Sequence, residues 1–479
     1  MVDEQSLFGR APSVGDEEDS GEKDTQYEVV SLAKLSGPLI LAYTLTYLTN
    51  VVDLAMAGHL GTDELASVSL GMVVYTVWFD PLIGLSSAMQ TLFTQAYGAR
   101  RMGLYAQWLL VGSVVLLVAA VPTAVLLFET ESLLLLLYPD QEQLCASTGL
   151  YVRLLLFGLA PQLVFVILTK YLNSQHILWP CVIIAAAVNV FNITVQWLFI
   201  YHFQWGIVGA PLATSLTRLV HALALVIFIC LEPSSWAGWP TLADLEWRRF
   251  RDLITLGTAG WAMEALECWG LQGTAVLASF AGVLTLSANN VVLSIVMLLY
   301  LGLLMSSSLA GGIRVGHLLG AGEETRARRV AVIAVCWCAG VVTPAAGVVA
   351  LCHDVVGRLY SHDEAVVVKV SEIVPIVALG LVFFGVFAGV AGVLRGMGKQ
   401  SIVLLLNVTG IWAVGLGGGY LLMFPGGMGL AGLWWAITAG LLLAAGLGLF
   451  VIFLVLDWGA AAAESAERMK LNGDGSKQT

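Results

Sequence analysis

The sequence predicts an all-α polytopic membrane protein with twelve transmembrane helices, arranged as two parallel six-helix bundles. Three observations predict this fold class. The 479 residues are 58% hydrophobic and 11% charged, whereas soluble globular proteins are about 25% charged. Apolar runs long enough to cross a bilayer recur along the chain, and motifs of the first half return in the second. A composition this apolar excludes a soluble enzyme, a nucleic-acid-binding protein and a disulfide-stabilised secreted domain.

The N-terminal segment, residues 1–30, is the polar exception. It holds nine acidic residues against only Arg10 and Lys23. Such a segment has little apolar surface to bury, so we expect residues 1–30 to be a disordered acidic tail. The segment also lacks the apolar stretch of a signal peptide, and we expect the first transmembrane helix to direct insertion.

The predicted spans follow from length, since a helix advances about 1.5 Å per residue and needs about 20 apolar residues to cross the hydrocarbon core. The run at 252–283 carries more polar side chains than the others and is expected to face a cavity. The twelve predicted spans are 36–58, 65–94, 104–128, 148–171, 178–201, 207–231, 252–283, 286–311, 329–352, 371–394, 402–424 and 429–456.

Lysine and arginine are distributed unequally over the connections between these spans. Connections after odd-numbered helices hold only Arg358 and Lys369. Because basic connections stay on the cytoplasmic side, we expect both termini to be cytoplasmic, in a plasma, vacuolar or other internal membrane. Connections after even-numbered helices hold Arg100, Arg101, Lys170, Arg248, Arg249, Arg251, Arg314, Arg326, Arg328, Arg329, Arg395 and Lys399.

The two halves of the chain carry an internal repeat. The YGA motif at 97–99 matches LGA at 319–321 at an offset of 222, and GIVG at 206–209 matches GLAG at 429–432 at an offset of 223. Each half holds six helices, an even number, so both halves enter the membrane from the same side, as in many secondary transporters. The predicted organisation is a first bundle at 31–231, a cytoplasmic linker at 232–251, a second bundle at 252–456 and a cytoplasmic tail at 457–479.

Two acidic residues of the seventh predicted helix are the leading candidates for proton coupling. Glu264 and Glu267 are three residues apart and share one helix face, about 20 Å from the end marked by Arg251. An ionised carboxyl is costly at that depth in a membrane. It can hold a proton and lose it when a cation enters, so that one site has two mutually exclusive occupants. We expect Glu267 to be the main proton carrier and Glu264 its neighbour.

A second group of polar candidates lies in the first half. Asn50 and Asp53 share one face of the first helix with two threonines, a stripe that suits a water-filled cleft or a small cation site. Asp53 is thus a second candidate for coupling to protons, with sodium as the alternative ion. Asp80, near the middle of the second helix, is expected to pair with Arg218, either as a structural ion pair or in transport.

Aromatic side chains are candidates for holding flat organic cations through cation–π contacts. The candidates are Trp78, Trp261, Trp269 and Tyr300. Interfacial anchoring is the ordinary role of tryptophan in a membrane protein, so each of these remains an open alternative between anchoring and binding.

At the repeat segments the sequence resembles the multidrug and toxic compound extrusion (MATE) family, in particular its eukaryotic branch. The resemblance covers about residues 30–455 and implies two six-helix bundles around a V-shaped central cavity. It also implies export of organic, often cationic, compounds in exchange for protons or sodium. The motifs that carry it are AGHLGTDELASVSLG (57–71), TLFTQAYGA (91–99), MEALECWG (263–270), RVGHLLGAGE (314–323) and GVLRGMGKQ (392–400).

The chain departs from the family pattern at several acidic positions. Gln90 and Gln272 stand where eukaryotic relatives carry acids, and Phe384 falls on or near another acidic position. Glu267 matches the first glutamate of the family's seventh-helix pair, and Asp53 lies where bacterial members carry an aspartate. The two glutamines therefore join Asn50, Asp80 and Arg218 as candidates for the substrate cavity.

Other functions are less consistent with the sequence. No catalytic or metal-binding set is expected, because HExxH and GxSG motifs are absent and the seven histidines are scattered. A channel would need a filter-like motif, and a flippase for lipid-linked cargo would need basic residues in its cavity. We therefore expect a monomeric, proton-driven exporter of small organic, cationic compounds in the lipid bilayer that works by alternating access, without a cofactor other than its coupling ion. Sodium-coupled export and export of anionic or lipid-linked cargo remain alternatives.

Overall fold

The computed structural model describes residues 17–232, 246–360 and 363–469, and this part of the chain is almost entirely helical. The first half comprises α1 (Glu17–Gly58), α2 (Thr62–Gly98), α3 (Met102–Phe128), α4 (Thr130–Leu137), α5 (Glu142–Leu155), α6 (Leu159–Ser174), α7 (Trp179–Trp197) and α8 (Gly209–Leu231). The second half comprises α9 (Trp247–Phe280), α10 (Val283–Leu299), α11 (Ser306–Gly320), α12 (Glu324–Leu351), α13 (His353–Tyr360), α14 (Glu364–Met397), α15 (Gln400–Asn407), α16 (Gly418–Met423), α17 (Gly429–Phe450) and α18 (Trp458–Arg468).

Eleven helical segments in these described ranges are long and apolar enough to cross a membrane. Several of them join two helices through a short 3₁₀ or π turn, as α10 and α11 are joined by the π-helical turn Tyr300–Met305. The remaining predicted span, 252–283, corresponds to α9, which ends at Phe280 and carries too many polar side chains to count among these eleven segments. With α9 included, a long helix lies at each of the twelve predicted spans.

The N-terminal acidic segment differs from its prediction. The prediction that residues 1–30 are disordered is wrong from Glu17 onward, because α1 begins there. Glu28 explains the difference: its buried carboxylate pairs with Arg314 and Arg326 of the second half, at 2.7 Å in each case. Glu28 was counted with the other acids of the predicted tail, because no pattern in the sequence shows which basic residues it meets. Residues 1–16 lie outside the described residues.

The predicted linker and C-terminal tail are only partly described. Glu232 follows α8 and α9 begins at Trp247, while residues 233–245 lie outside the described residues. In the tail, Asp457 caps α18 by accepting from two backbone N–H groups. Helix α18 then packs back on the molecule, where Lys399 contacts Glu464 at 2.8 Å. Residues 470–479 are also outside the described residues.

The first helix of each half crosses to the other half. Leu32 and Leu35 of α1 belong to the hydrophobic core of the second half. Reciprocally, Leu253 and Leu256 of α9 belong to the core of the first half. Because the exchange is mutual, apolar packing as well as polar contacts holds the halves together.

The two halves also meet directly at one end of the molecule, which we call the basic end. Helices α2, α6, α11 and α14 all finish there, close in sequence to the basic residues Arg100, Arg326 and Lys399. At this end Gly98 of α2 lies against the backbone of His317, and Gly320 of α11 lies against the backbone of Gln95. The halves are therefore closed against each other at the basic end, like the arms of a V.

Candidate functional site

A cavity of about 440 Å³ lies between the two halves. This volume is in the range of sites that bury drug-sized ligands. Helices α1, α2, α6 and α8 contribute from the first half, and α9, α10, α11 and α14 from the second. The predicted site residues that line it are Asn50, Asp80, Gln90, Arg218, Glu264, Glu267, Gln272 and Tyr300.

The two glutamates of α9 line this cavity together, as their spacing predicts. Glu267 is 6% exposed, and its carboxylate accepts a hydrogen bond of 2.7 Å from the Tyr300 hydroxyl. Glu264 has no hydrogen-bond partner in the described part of the chain. Helix α2 approaches α9 closely at this level, since a Cβ at Gly84 would lie 2.5 Å from the Glu264 Cβ.

The position of Tyr300 is fixed by its place in the backbone and by a ring contact. It is the first residue of the π-helical turn between α10 and α11, and such turns are frequent at functional sites. Its ring stacks on Phe384 of α14, with centroids 5.1 Å apart and planes at 9°. The aromatic residue at position 384 thus fixes the ring that donates to Glu267.

Three basic side chains line the same cavity. Arg218 was a candidate from the sequence, whereas Lys170 and Arg395 were counted only among the residues of the connections. Both lie at the very end of an apolar run, which made them resemble flanking charges. Helices α6 and α14 continue beyond them to Ser174 and Met397, and this places their side chains inside.

The expected ion pair between Asp80 and Arg218 is not formed. The Arg218 guanidinium donates to the Tyr75 hydroxyl at 2.8 Å and lies over the same ring, 4.6 Å from its centroid. Asp80 lies instead within hydrogen-bonding reach of the Cys268 thiol. The aromatic ring of Tyr75 satisfies the guanidinium, so the two charges face the cavity separately.

Asp53 lies apart from the cavity, in the interior of the first half. It is 2% exposed. Its carboxylate accepts hydrogen bonds from Asn192 at 3.2 Å, Gln196 at 2.7 Å and Thr214 at 2.8 Å. The polar stripe predicted on α1 is therefore divided: Asn50 faces the central cavity, and Asp53 faces α7 and α8.

The tryptophan candidates are not among the residues that line the cavity in the described structure. The Trp269 indole donates to the Val77 carbonyl at 3.1 Å and packs edge to face on Trp261. Trp78 packs against the core of the first half. An indole N–H in apolar surroundings needs an acceptor, and for Trp269 the backbone of α2 provides it. Of the aromatic candidates, Tyr300 alone lines the cavity.

A polar layer closes the basic end beneath the cavity. His176, in the connection between α6 and α7, hydrogen-bonds through Nε2 to the His317 Nδ1 at 2.9 Å. The Thr91 hydroxyl donates to the Arg395 carbonyl at 2.6 Å. Burial, followed by the nearby charge of Arg314, lowers the pKa of His176 to about 4. Each of these contacts joins the first half to the second.

Sequence comparison identifies relatives of this chain. The MatE family model matches residues 38–198 and 262–421, one stretch in each half. Multidrug and toxin extrusion protein 1 of Xenopus tropicalis is 30% identical over 446 residues, which cover 92% of this chain and 76% of that protein. Multidrug and toxin extrusion protein 2 of Oryctolagus cuniculus is 31% identical over 452 residues, covering 93% and 74%.

Solved structures share the fold. The crystal structure of the eukaryotic MATE transporter AtDTX14 superimposes with a TM-score of 0.88 at 25% identity, covering 93% of this chain and 100% of that one. An outward-facing MATE transporter superimposes with a TM-score of 0.81 at 19% identity. The predicted fold, twelve transmembrane helices in two bundles around a central cavity, is thereby confirmed.

Proposed function

The chain belongs to the MATE family of membrane transporters, and we propose that it exports small organic compounds that carry a positive charge, in exchange for protons. The observation that carries this proposal is the cavity between the halves, with the two carboxyl groups of Glu264 and Glu267 on its wall. The relatives named above are multidrug and toxin extrusion proteins, which supports efflux as the class of transport.

Proton coupling follows from competition for these carboxyl groups. A deprotonated Glu267 attracts a cationic compound, and a protonated one does not. The Tyr300 hydroxyl donates to the carboxylate of Glu267 at 2.7 Å and holds that group in place on the cavity wall. Glu264, one helical turn away, has its carboxyl group free for cargo or for a second proton. Proton entry from the outer side would then release the cargo there.

Alternating access requires the two halves to separate at the basic end. In this conformation Gly98, Gly320, His176 and His317 hold that end closed. We take the basic end as cytoplasmic, because basic connections favour that side. Rocking of the halves would break these contacts and expose the cavity to the cytoplasm, where cargo is collected.

A second coupling ion, sodium, is favoured by the environment of Asp53. The side-chain oxygens of Asn192 and Gln196 have no hydrogen-bond partner in the described residues. With the carboxylate of Asp53 and the hydroxyl of Thr214, they offer a cluster of oxygen atoms, the ligand type that hard cations prefer. Asp53 is then a coupling site separate from the cargo cavity, for sodium or for a proton.

The test is efflux of a fluorescent organic cation from proteoliposomes that contain the full chain, under a pH gradient and then under a sodium gradient. Glu267→Gln should abolish pH-driven efflux, and Asp53→Asn should abolish any sodium-driven efflux. Glu372→Gln is a matched control, because Glu372 is exposed on α14 away from the cavity. Unchanged pH-driven efflux in the Glu267 variant would contradict the proposal.

A further inference from the structure

The charged lining of the central cavity is balanced in sign. The three acidic residues are Asp80, Glu264 and Glu267, and the three basic residues are Lys170, Arg218 and Arg395. A cavity that selects simple cations would have no use for three basic side chains, because each of them repels the cargo. The lining is instead complementary to a molecule that carries both signs.

The basic side chains are not neutralised by the acids around them. Glu264 lies within electrostatic range of Lys170 and Arg395, yet neither forms an ion pair with a carboxylate of the described residues. Arg395 donates to the Ser308 hydroxyl at 3.0 Å and to the Ala391 carbonyl at 3.3 Å. Lys170 has no hydrogen-bond partner in the described part of the chain. Unpaired charges in a sheltered site are costly, and a bound anionic group would offset that cost.

Positions along helix α2 measure the distance between the acidic and the basic side chains of the cavity. Gly84 touches Glu264 and marks the level of the carboxyl groups. Thr91 touches the Arg395 backbone, seven residues and about 10 Å nearer the basic end. Since a helical side chain points back toward the start of its helix, the guanidinium of Arg395 rises from that level toward the carboxyl groups. The two layers are therefore roughly 5–10 Å apart.

Two further polar side chains close to the basic layer have no hydrogen-bond partner among the described residues. Both side-chain atoms of Gln90 and the hydroxyl of Ser87 are buried without a hydrogen bond to any described residue. Each residue is 8% exposed, and each lines the cavity. They lie on α2 between the level of Glu264 and that of Arg395. An amide N–H and a hydroxyl both donate, so they suit an anionic group.

We propose that the cavity binds amphoteric organic compounds, with the carboxylate or similar anionic group against Lys170, Arg395 and Gln90 and the ammonium group against Glu264 and Glu267. This inference rests on the proposed function and specifies its cargo. The anionic group is held at the basic end of the cavity and the cationic group nearer its middle. Protonation of the glutamates would release the cationic group first.

Three probes of one shape test the proposal. The zwitterion 4-(trimethylammonio)butyrate has its two charges separated by a three-carbon chain. Butyltrimethylammonium lacks the carboxylate, and 5,5-dimethylhexanoate replaces the ammonium nitrogen by carbon. Equilibrium binding of each probe to the purified full chain in lipid nanodiscs is measured by calorimetry. The zwitterion should bind at least about tenfold more tightly than either single-charge probe, since a hydrogen bond to a charged group contributes about 1.5–3 kcal/mol.

Variants identify the residues responsible. Lys170→Gln should reduce zwitterion binding about tenfold and leave butyltrimethylammonium binding unchanged or improved, whereas Lys170→Arg should keep the preference. Lys34→Gln removes one charge at an exposed position outside the cavity and serves as the control. Equal or tighter binding of butyltrimethylammonium than of the zwitterion would overturn the proposal. Equal loss for all three probes in Lys170→Gln, or no binding of any probe, would overturn it as well.

Transport separates this inference from the proposed function. Movement of butyltrimethylammonium under a pH gradient, without a binding preference for the zwitterion, would leave proton-coupled export standing and refute the amphoteric site. A clear preference for the zwitterion, together with an absence of pH-driven transport of all three probes, would support the site and refute proton coupling.

Discussion

Gly98 and Gly320 occupy equivalent positions on the two sides of the interface between the halves. A Cβ at Gly98 would lie 2.1 Å from the carbonyl oxygen of His317, and a Cβ at Gly320 would lie 2.1 Å from that of Gln95. Both pairs of residues, 98 with 320 and 95 with 317, are separated by the repeat offset of 222. The closed basic end is therefore a pseudo-twofold contact made by backbone atoms, in which any side chain larger than hydrogen collides.

Substitution of either glycine tests this contact. Gly98→Ala or Gly320→Ala should destabilise the conformation closed at the basic end by about 1–3 kcal/mol, as overpacking does. Pulsed electron paramagnetic resonance between spin labels at Arg101 and Glu323, in a chain without its native cysteines, should show longer distances. Gly340→Ala is the control, because no atom lies within 4 Å of its Cβ position. Identical distance distributions in the parent chain and in both variants would refute this account.

The pairing of Glu28 with two arginines is the main ionic contact between α1 and the second half. Glu28→Gln leaves the buried Arg314 uncompensated, which we expect to cost about 3 kcal/mol or more. The same spin-label distances should lengthen, and the thermal unfolding temperature should fall. Asp24→Asn is the matched control, because both partners of the Asp24–Arg329 pair are nearly half exposed and such pairs contribute about 1 kcal/mol or less. Effects of equal size in the two variants would contradict the assignment.

The histidine contact at the basic end makes that end sensitive to acid. The pKa of His176 is about 4 in the closed conformation, against an ordinary value of 6.5, so closure favours the neutral ring. The neutral His176 ring contributes its full stabilisation of the closed conformation above pH 6.5, and this contribution is lost as the pH falls toward 4. Arg314 and His317 of α11 and Tyr97 of α2 surround the ring, and none of them supplies a negative charge to hold a proton there.

Distance measurements at several pH values test this dependence. Spin labels at the basic end should report more of the open conformation at pH 5 than at pH 7.5. His176→Gln should flatten the response between pH 6.5 and 4, because the glutamine does not titrate. His59→Gln, at an exposed position directly after α1, should leave it unchanged. A pH response of full size in the His176 variant would refute the role of this residue.

We expect the hydrogen bond between Tyr300 and Glu267 to couple the movement of cargo to the movement of protons. Tyr300→Phe keeps the stack on Phe384 and removes only the hydroxyl that donates to Glu267. We expect pH-driven efflux to fall about tenfold, since a hydrogen bond to a charged group contributes about 1.5–3 kcal/mol. Exchange of cargo at equal pH on both sides should change less than twofold. Tyr420→Phe, at an exposed position, is the control; equal losses of efflux and exchange in the Tyr300 variant would refute the coupling role.

Much of the fold could be predicted from the sequence, because span length and repeat offset are local or periodic properties. The shared face of Glu264 and Glu267 follows from a three-residue spacing in the same way. Which groups meet across the interior depends on helix packing, which no periodicity encodes. For that reason the partners of Arg218 and Glu28 were missed, and the sequence could not decide whether Trp269 lines the cavity or, as in the structure, donates to α2.

Lys170 and Arg395 show a second limit. A basic residue at the end of an apolar run has the same sequence signature whether it extends outward to lipid headgroups or inward to a cavity. Only the position of the neighbouring helices distinguishes the two cases. Apart from Arg218, the basic side chains of the cavity could therefore not be predicted from the sequence, and neither could the balance of charges in its lining.

The two halves repeat the same fold, but the charged residues of the cavity are not repeated between them. At the repeat offset of 222, Asp80 and Lys170 correspond to Gly302 and Gly392, while Glu264, Glu267 and Arg395 correspond to Ala42, Leu45 and Asn173. At the offset of 223 that holds from residue 206, Arg218 corresponds to Leu441. A homodimer of either half would therefore present each of its own charges twice and lack those of the other half. The halves have diverged from copies into complementary parts, so neither half alone carries the full set of charged groups that lines the cavity.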